Sequence, residues 1–250
     1  MLRKISSLIV AMSAAAIFSA ATAAPKIPWH PIVALDGGYA FMSTSTQTTE
    51  FAAYSDALFT LRDQANNYSQ KMWGGFAGVE WQVKPLWTLQ TGVAYYQPVS
   101  IVVRGNESQG VIGSPETTDF YTYRYTITPQ QVLAEAKLLY TFKEKYFPFV
   151  LVGMGASFDS VRSYGINYPA FLTFVPEFSS HNVTAFSYRL GIGLDYATSD
   201  DLRVGIGYYF SDFGKVQTGS GHVDDYGVRT NLQQPHLLAN ELVAQMTMIL

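Results

Sequence analysis

The chain has 250 residues, of which 48% are hydrophobic and 15% aromatic but only 14% charged, against about 25% charged in an ordinary soluble domain. Having no cysteine, it can hold neither a disulfide framework nor the acylated cysteine of a lipid-anchored lipoprotein. The net charge of −3 and the lack of a Lys/Arg cluster along the chain argue against a nucleic-acid partner.

Residues 1–23 read as an export signal. Arg3 and Lys4 precede an apolar stretch from Leu8 to Phe18, and Ala21-Thr22-Ala23 supplies a small-x-small cleavage pattern. That stretch falls short of the ~20 residues of a spanning helix. Cleavage after Ala23 takes the formal net charge from −3 to −5 and leaves residues 24–250 as one domain.

The remaining sequence alternates with a period of two, which in a β-strand sorts side chains onto opposite faces. "IVALDGGYAFM" sets Val33, Leu35, Tyr39 and Phe41 against Asp36. "WGGFAGVEWQV" sets Trp73, Ala77, Val79, Trp81 and Val83 against Glu80, and "WTLQTGVAYY" sets Trp87, Leu89, Val93 and Tyr95 against Gln90. "QVLAEAKLLYTF" sets Val132, Ala134, Leu138, Tyr140 and Phe142 against Glu135 and Lys137, with Leu133 and Leu139 blurring the pattern. "FVLVGMGASF" is apolar or small on both faces, and Val150, Val152, Met154, Ala156 and Phe158 are assigned outward. "YRLGIGLDYATSDDLRVGIGYYF" holds two strands about a Ser/Asp turn, with Arg189, Asp195 and Arg203 opposite the apolar set. The final "LLANELVAQMTMIL" places Leu242, Ala244, Met246, Met248 and Leu250 opposite Glu241, Gln245 and Thr247.

These make eight strands of about the nine or more residues that a tilted strand needs to cross a membrane. Short connections (84–86, 143–148, 198–201) alternate with long ones (43–71, 98–124, 160–182, 214–235) rich in Ser, Thr, Gly, Asn and Gln. The expected fold is therefore all-β: an eight-stranded antiparallel up-and-down transmembrane β-barrel with short periplasmic turns, long extracellular loops and both termini periplasmic. On the apolar face, Trp81, Trp87, Tyr140, Phe142 and Tyr196 lie toward the short turns, and Trp73, Tyr95, Phe158, Phe186 and Phe210 toward the long loops. Two such aromatic girdles suit a lipid-facing surface.

The opposite face would then line the interior, because the reverse register would put Arg189 or Arg203 in lipid at roughly 2–4 kcal/mol each near the midplane. Eight strands leave room for side chains but not for a wide channel. Asp36, Glu80, Glu135, Asp195 and Glu241 against Lys137, Arg189 and Arg203 form a mixed set, for which a paired network that plugs the lumen is expected. Asp195 and Arg203, nearly symmetric about their turn, are expected to pair, and inward glycines such as Gly74, Gly191 and Gly205 to make space for the long charged side chains.

With its leader, its alternating strands, "LGIGLDYATSDDLRVGIGYYF" and its apolar-alternating last strand, the chain resembles the small outer-membrane barrels of Gram-negative bacteria, the OmpA/OmpX/Opa-like surface proteins, here without a periplasmic domain. The last residue of such barrels is typically Phe, part of the signal read by the insertion machinery. Leu250 keeps the apolar parity and departs in type. The resemblance implies the outer membrane as location and roles in envelope integrity, adhesion or host-surface contact.

His30, His181, His222 and His236 lack metal-ligand spacing, and "HVDDYG" (222–227) lacks the alternating acids of a calcium loop, so no metal or other cofactor is expected. "SSHN" (179–182) with Asp212 or Asp225 could furnish a Ser/His/acid group of a lipid-modifying or proteolytic enzyme, but no family motif surrounds it and a non-enzyme is expected. In the first long connection, "EFAAYSDALFTLRD" (50–63) reads as a short helix or a strand extension over the barrel mouth. In the third, Tyr164, Tyr168, Phe171, Phe174 and Phe178 form a partner surface if exposed and a lid if folded in. The leading expectation is a structural or adhesive surface protein acting through its loops; the alternative is a narrow channel for small or hydrophobic solutes. Expected partners are outer-membrane lipid and lipopolysaccharide, the barrel insertion machinery, and a host or envelope protein at the loops.

Overall fold

The computed structural model describes residues 28–54, 56–112, 114–169 and 174–250. The expected leader and Phe171 lie outside these. Among the described residues the regular structure is all strand, in chain order β1 (Trp29–Thr44), β2 (Thr48–Ala53), β3 (Ala57–Asp63), β4 (Asn66–Lys84), β5 (Trp87–Pro98), β6 (Ile101–Val111), β7 (Ser114–Thr128), β8 (Gln131–Tyr140), β9 (Tyr146–Asn167), β10 (Pro176–Phe178), β11 (His181–Ala197), β12 (Leu202–Asp212), β13 (Val216–Gln217), β14 (Gly221–Val223), β15 (Tyr226–Val228), β16 (Gln233–Gln234) and β17 (Leu238–Ile249).

The pairing closes on itself. β1 pairs with β4, β4 with β5, β5 with β8, β8 with β9, β9 with β11, β11 with β12, β12 with β17 and β17 with β1, every pair antiparallel. A ring satisfies backbone donors and acceptors that an open sheet would leave at two edges. The connections β4–β5, β8–β9 and β11–β12 are tight, the second passing through positive φ at Lys143 and Glu144.

The connections expected as long loops are largely strand. β2, β3, β6 and β7 continue the ring's sheet beyond its rim, β3 pairing with β2 and β6, and β7 with β6 and the far half of β9. Pairing that runs to Thr44↔Asn66 in β1–β4 resumes at Thr48↔Arg62 in β2–β3, and pairing that runs to Tyr96↔Gln131 in β5–β8 resumes at Ile101↔Ile127 in β6–β7. The hairpins of the ring thus rise into a tall wall, hereafter the hood. Segment 50–63, expected as a helix or strand extension, is the β2–β3 hairpin. Opposite the wall, β10, β14 and β15 form a small sheet of their own, and β13 pairs with β16.

Faces reverse between the two levels. The outer face of the ring exposes Leu35, Tyr39, Trp73, Val93, Val150, Met154, Leu190, Ile192, Ile206, Leu242 and Met246, while charged residues are buried inside. In the hood Arg62, Arg104, Asn106 and Arg124 face outward, and Phe59, Leu61, Ile101, Val103, Tyr123, Tyr125 and Ile127 are buried.

Candidate functional site: a charged core inside the ring

Every inward charge in the ring sits on a strand whose even or odd positions face the interior, and contacts between non-adjacent strands hold the set together. Nearest the short turns, Arg203 (β12) forks onto both carboxylate oxygens of Glu80 (β4), the longer bond 2.9 Å, and lies 4.5 Å from the centre of the Phe147 ring. Gln90 Nε2 donates to Glu80 at 2.7 Å. One level up, Lys137 Nζ (β8) donates to Asp195 Oδ2 (β11) at 2.6 Å and to Gln245 Oε1 (β17) at 2.6 Å, above the Phe149 ring. Gln245 turns its amide nitrogen to Asp36 Oδ1 at 2.8 Å.

At the third level Arg189, 1% exposed, is clamped between the rings of Tyr96 and Tyr209, its guanidinium carbon 3.6 and 4.0 Å from their centres. Its Nη2 lies 2.8 Å from Glu241, and Nη1 lies 3.9 Å from Glu135, which also accepts from the Tyr96 hydroxyl at 3.0 Å. A desolvated cation between two aromatic faces gains about 2 kcal/mol, and leaving either carboxylate without its cation costs several. Above this level the Ser187 hydroxyl lies 2.8 Å from Gln131 Oε1 and 2.7 Å from the Asp212 carbonyl, sharing its one proton between them, and Ser157 donates to the Phe213 carbonyl. The arrangement fills the ring with fixed dipoles and sets each of its three cations against a carboxylate.

All eight residues of the expected network (Asp36, Glu80, Glu135, Lys137, Arg189, Asp195, Arg203 and Glu241) are buried here. Two details differ from expectation. Asp195 and Arg203 do not pair: Asp195 stands opposite Gly205 and reaches across to Lys137, while Arg203 is long enough to reach Glu80 three strands away. The glycines mostly clear room for rings rather than charges. A Cβ on Gly74 would fall inside Tyr96, one on Gly191 inside Tyr209 and one on Gly193 inside Phe149; Gly205 alone of these four faces a carboxylate, that of Asp195. Of the aromatic inner layer (Tyr96, Phe147, Phe149, Tyr209), Tyr209 shares the inward parity of Arg203, Phe149 is hidden in "FVLVGMGASF", which is apolar or small on both faces, and Tyr96 and Phe147 lie near strand ends, past the clear alternation.

The ten residues assigned to aromatic girdles (Trp73, Trp81, Trp87, Tyr95, Tyr140, Phe142, Phe158, Phe186, Tyr196 and Phe210) all stand on the outer face, exposed or half-buried. Several are paired, Trp73 with Tyr95, Trp87 with Tyr140 and Tyr146 with Tyr196, at centroid separations of 5.4, 5.1 and 5.3 Å.

The expected partner surface is not one exposed patch. Phe178 is buried, Tyr164 and Phe174 are half-buried and Tyr168 is exposed. The β2–β3 hairpin draws them in: Phe174 meets Phe59 and Tyr54, and Phe178 meets Phe51 and Tyr164. Beneath them Asp63 accepts from the hydroxyls of Tyr123 (2.6 Å) and Tyr125 (2.8 Å) and from Gln234 Nε2 (2.7 Å). Burial raises the Asp63 carboxyl above its ordinary range. Nor does the structure assemble His181 with Asp212: Asp212 Oδ2 lies 2.8 Å from His236 Nδ1, and the Ser179 hydroxyl donates to the Ser220 carbonyl.

Among solved structures, the chain is similar to Neisserial surface protein A at 13% identity, covering 88% of this chain and 97% of that one with a TM-score of 0.44. The outer membrane protease OmpT of Escherichia coli matches at 8% identity (93% and 99% covered, TM-score 0.44), and OprG of Pseudomonas aeruginosa at 9% (86% and 95% covered, TM-score 0.43). Comparison with curated proteins gives no match. The model of the outer membrane protein beta-barrel domain matches residues 9–233; the chain belongs to that family, and its place is the outer membrane of the cell.

Proposed function

We propose that the protein is an eight-stranded transmembrane barrel with a sealed lumen, a non-enzymatic surface protein that acts through its hood. In this reading β2–β3 and β6–β7 are extensions of ring strands, so the strands number eight. The short turns and both termini are periplasmic, the hood is extracellular, and residues 1–23 are the export signal. The observation that carries it is the three-level ion-paired core, in which Arg203, Lys137 and Arg189 each reach a carboxylate on a non-adjacent strand. A conducting pore needs mobile water along its axis, and a bonded core of this kind leaves side chains where that water would stand. The apolar outer face would be an aggregation surface in water and suits lipid. Exposed apolar residues at the hood's tips, Val111, Ile112 and Phe120, offer contact to a host or envelope protein.

The test is conductance of the refolded protein in a planar bilayer, before and after deletion of residues 164–178, with heat-dependent gel mobility as the check on folding. No steady current in either form is expected. A steady current, above all one enlarged by the deletion, would instead make the protein a channel gated by its hood.

A further inference from the structure

The outer flank of the hood carries a charge pattern that the linear sequence conceals. Arg62 (β3), Arg104 (β6), Arg124 (β7) and Arg162 (β9) lie 20 to 42 residues from their nearest neighbour in the set along the chain, yet register brings them onto one exposed face. Arg104 and Arg124 stand directly opposite each other on paired strands. Like charges so placed destabilise a sheet. Among the described residues neither forms an ion pair, and the described carboxylates of these strands are elsewhere. Asp63, Glu107 and Asp159 are buried on the inner side, Asp119 lies five residues from Arg124 toward the tip, and Glu50 lies two residues beyond Thr48, the partner of Arg62. In a protein of net negative charge this face is cationic.

Arg104 and Arg124 line one depression of about 550 Å³ together with Gln64, Asn106, Thr122 and Asn167, and with Tyr123 and Ile166. Two forks and a ring of neutral donors are what a phosphate ester on a sugar requires: paired, charge-assisted hydrogen bonds to its oxygens and weaker ones to neighbouring hydroxyls. Height selects the source, on the reading that the ring spans the membrane and the hood is external. Arg162 follows Phe158 of the outer girdle by four residues, and the Arg104–Arg124 rung meets β9 at Gly165. At ~3.3 Å per residue and a tilt of ~40° the cluster stands roughly 10–15 Å above the girdle. A phospholipid head group reaches only about 5–8 Å beyond the hydrocarbon. We infer that Arg104 and Arg124, flanked by Arg62 and Arg162, bind a phosphorylated sugar of the outer-leaflet glycolipid.

The full chain, refolded in detergent, would be titrated with lipopolysaccharide bearing a phosphorylated core and with the same material chemically dephosphorylated. R104Q/R124Q is expected to bind the phosphorylated form about tenfold or more weakly than wild type, whereas R229Q/K143Q, of equal net charge, stays within about twofold. Wild type is expected to lose a similar factor on dephosphorylated material, an arm that needs no variant to fold. Because the substitutions remove a repulsion, R104Q/R124Q should also unfold at no lower urea concentration than wild type. Equal affinity for the two glycolipids, or unchanged affinity in R104Q/R124Q, overturns the inference. So does a heparin oligosaccharide whose binding needs the two arginines while glycolipid binding does not. Heat-dependent gel mobility separates the readings: lost binding in a normally inserted protein sinks the site and leaves the barrel standing.

Discussion

The ring and the hood are built from the same sheet, and they are inside out with respect to each other. In the ring, β5 exposes Val93 and buries Gln90; a few residues later β6 exposes Arg104 and buries Ile101 and Val103. On the proposed reading, outer solvent is the difference. Where lipid surrounds the sheet, polar groups can be tolerated only within, and they must be matched there; where water surrounds it, the interior can be an ordinary apolar core. The buried acids show the consequence. Four of the five acids of the ring's charged core lie within 4 Å of a cation and the fifth, Asp36, is held by Gln245, whereas in the hood neither Asp63 nor Glu107 meets a described cation: Asp63 is held by phenols and an amide, and Glu107 has neither oxygen bonded. The ring is locked by charge pairs and the hood by aromatic packing, so the two should respond to different perturbations.

The sharpest break is Arg189→Met. It leaves Glu241 and Glu135 buried without their cation and empties the clamp between Tyr96 and Tyr209, so the ring should lose about 3–5 kcal/mol in urea unfolding from lipid vesicles. Double-mutant cycles come next. Lys137→Met with Asp195→Asn, and Arg203→Met with Glu80→Gln, should show coupling of about 1–3 kcal/mol, while Asp195→Asn with Arg203→Met should be additive within about 0.5 kcal/mol. Coupling in that last pair would mean that the turn-neighbour pairing wins in the membrane, and would sink the assignment of partners across the ring. In the hood, Tyr125→Phe removes one of three bonds to Asp63 and should cost about 1–2 kcal/mol, read as faster proteolysis of β3 with ring unfolding unchanged. A matched loss in the ring would show that the two regions unfold as one.

The ring was the legible part. In residues 188–210 the period of two runs unbroken through that part of β11 and again through β12, with one apolar outer face on each strand. Which charge pairs with which was not legible, since parity says only that a residue points inward; side-chain reach across the interior decides the rest, and Arg203 spans where Asp195 does not. The hood was hidden for two reasons. The phase slips by one residue near Val99 and Ser100, so buried positions change from even (Gln90, Ala94, Tyr96) to odd (Ile101, Val103, Glu107). The outer residues also turn polar where the strands pass from ring to hood, which gives segments such as 101–111 the composition of a loop. The aromatic residues between 164 and 178 looked like a surface because their cover, the β2–β3 hairpin, is over 100 residues away in sequence.

The smallest effect is the most specific to the hood. Glu107 on β6 has no described cation within ion-pairing distance, and burial alone lifts its carboxyl to about 7. A carboxyl raised from an ordinary value near 4.5 binds its proton more tightly in the folded hood than in the opened one. The stabilisation is therefore complete below about pH 4.5, declines as pH rises through 7 and is gone above it, where both states are ionised. Hydrogen exchange of the β6 amides should accordingly quicken between pH 5 and 8 beyond the intrinsic chemical dependence, by a factor corresponding to roughly 1–2 kcal/mol. Glu107→Gln should flatten that profile in β6 and leave the wild-type pH profile of the β11 and β12 amides unchanged, because Glu107 has no side-chain bond to a ring residue. If Glu107→Gln altered the β11 profile as much as that of β6, the division into a charge-locked ring and a packing-locked hood would fail. If β6 stayed flat in wild type, water would have to reach Glu107 and hydrate its charge, and the hood would be less closed than its aromatic packing implies.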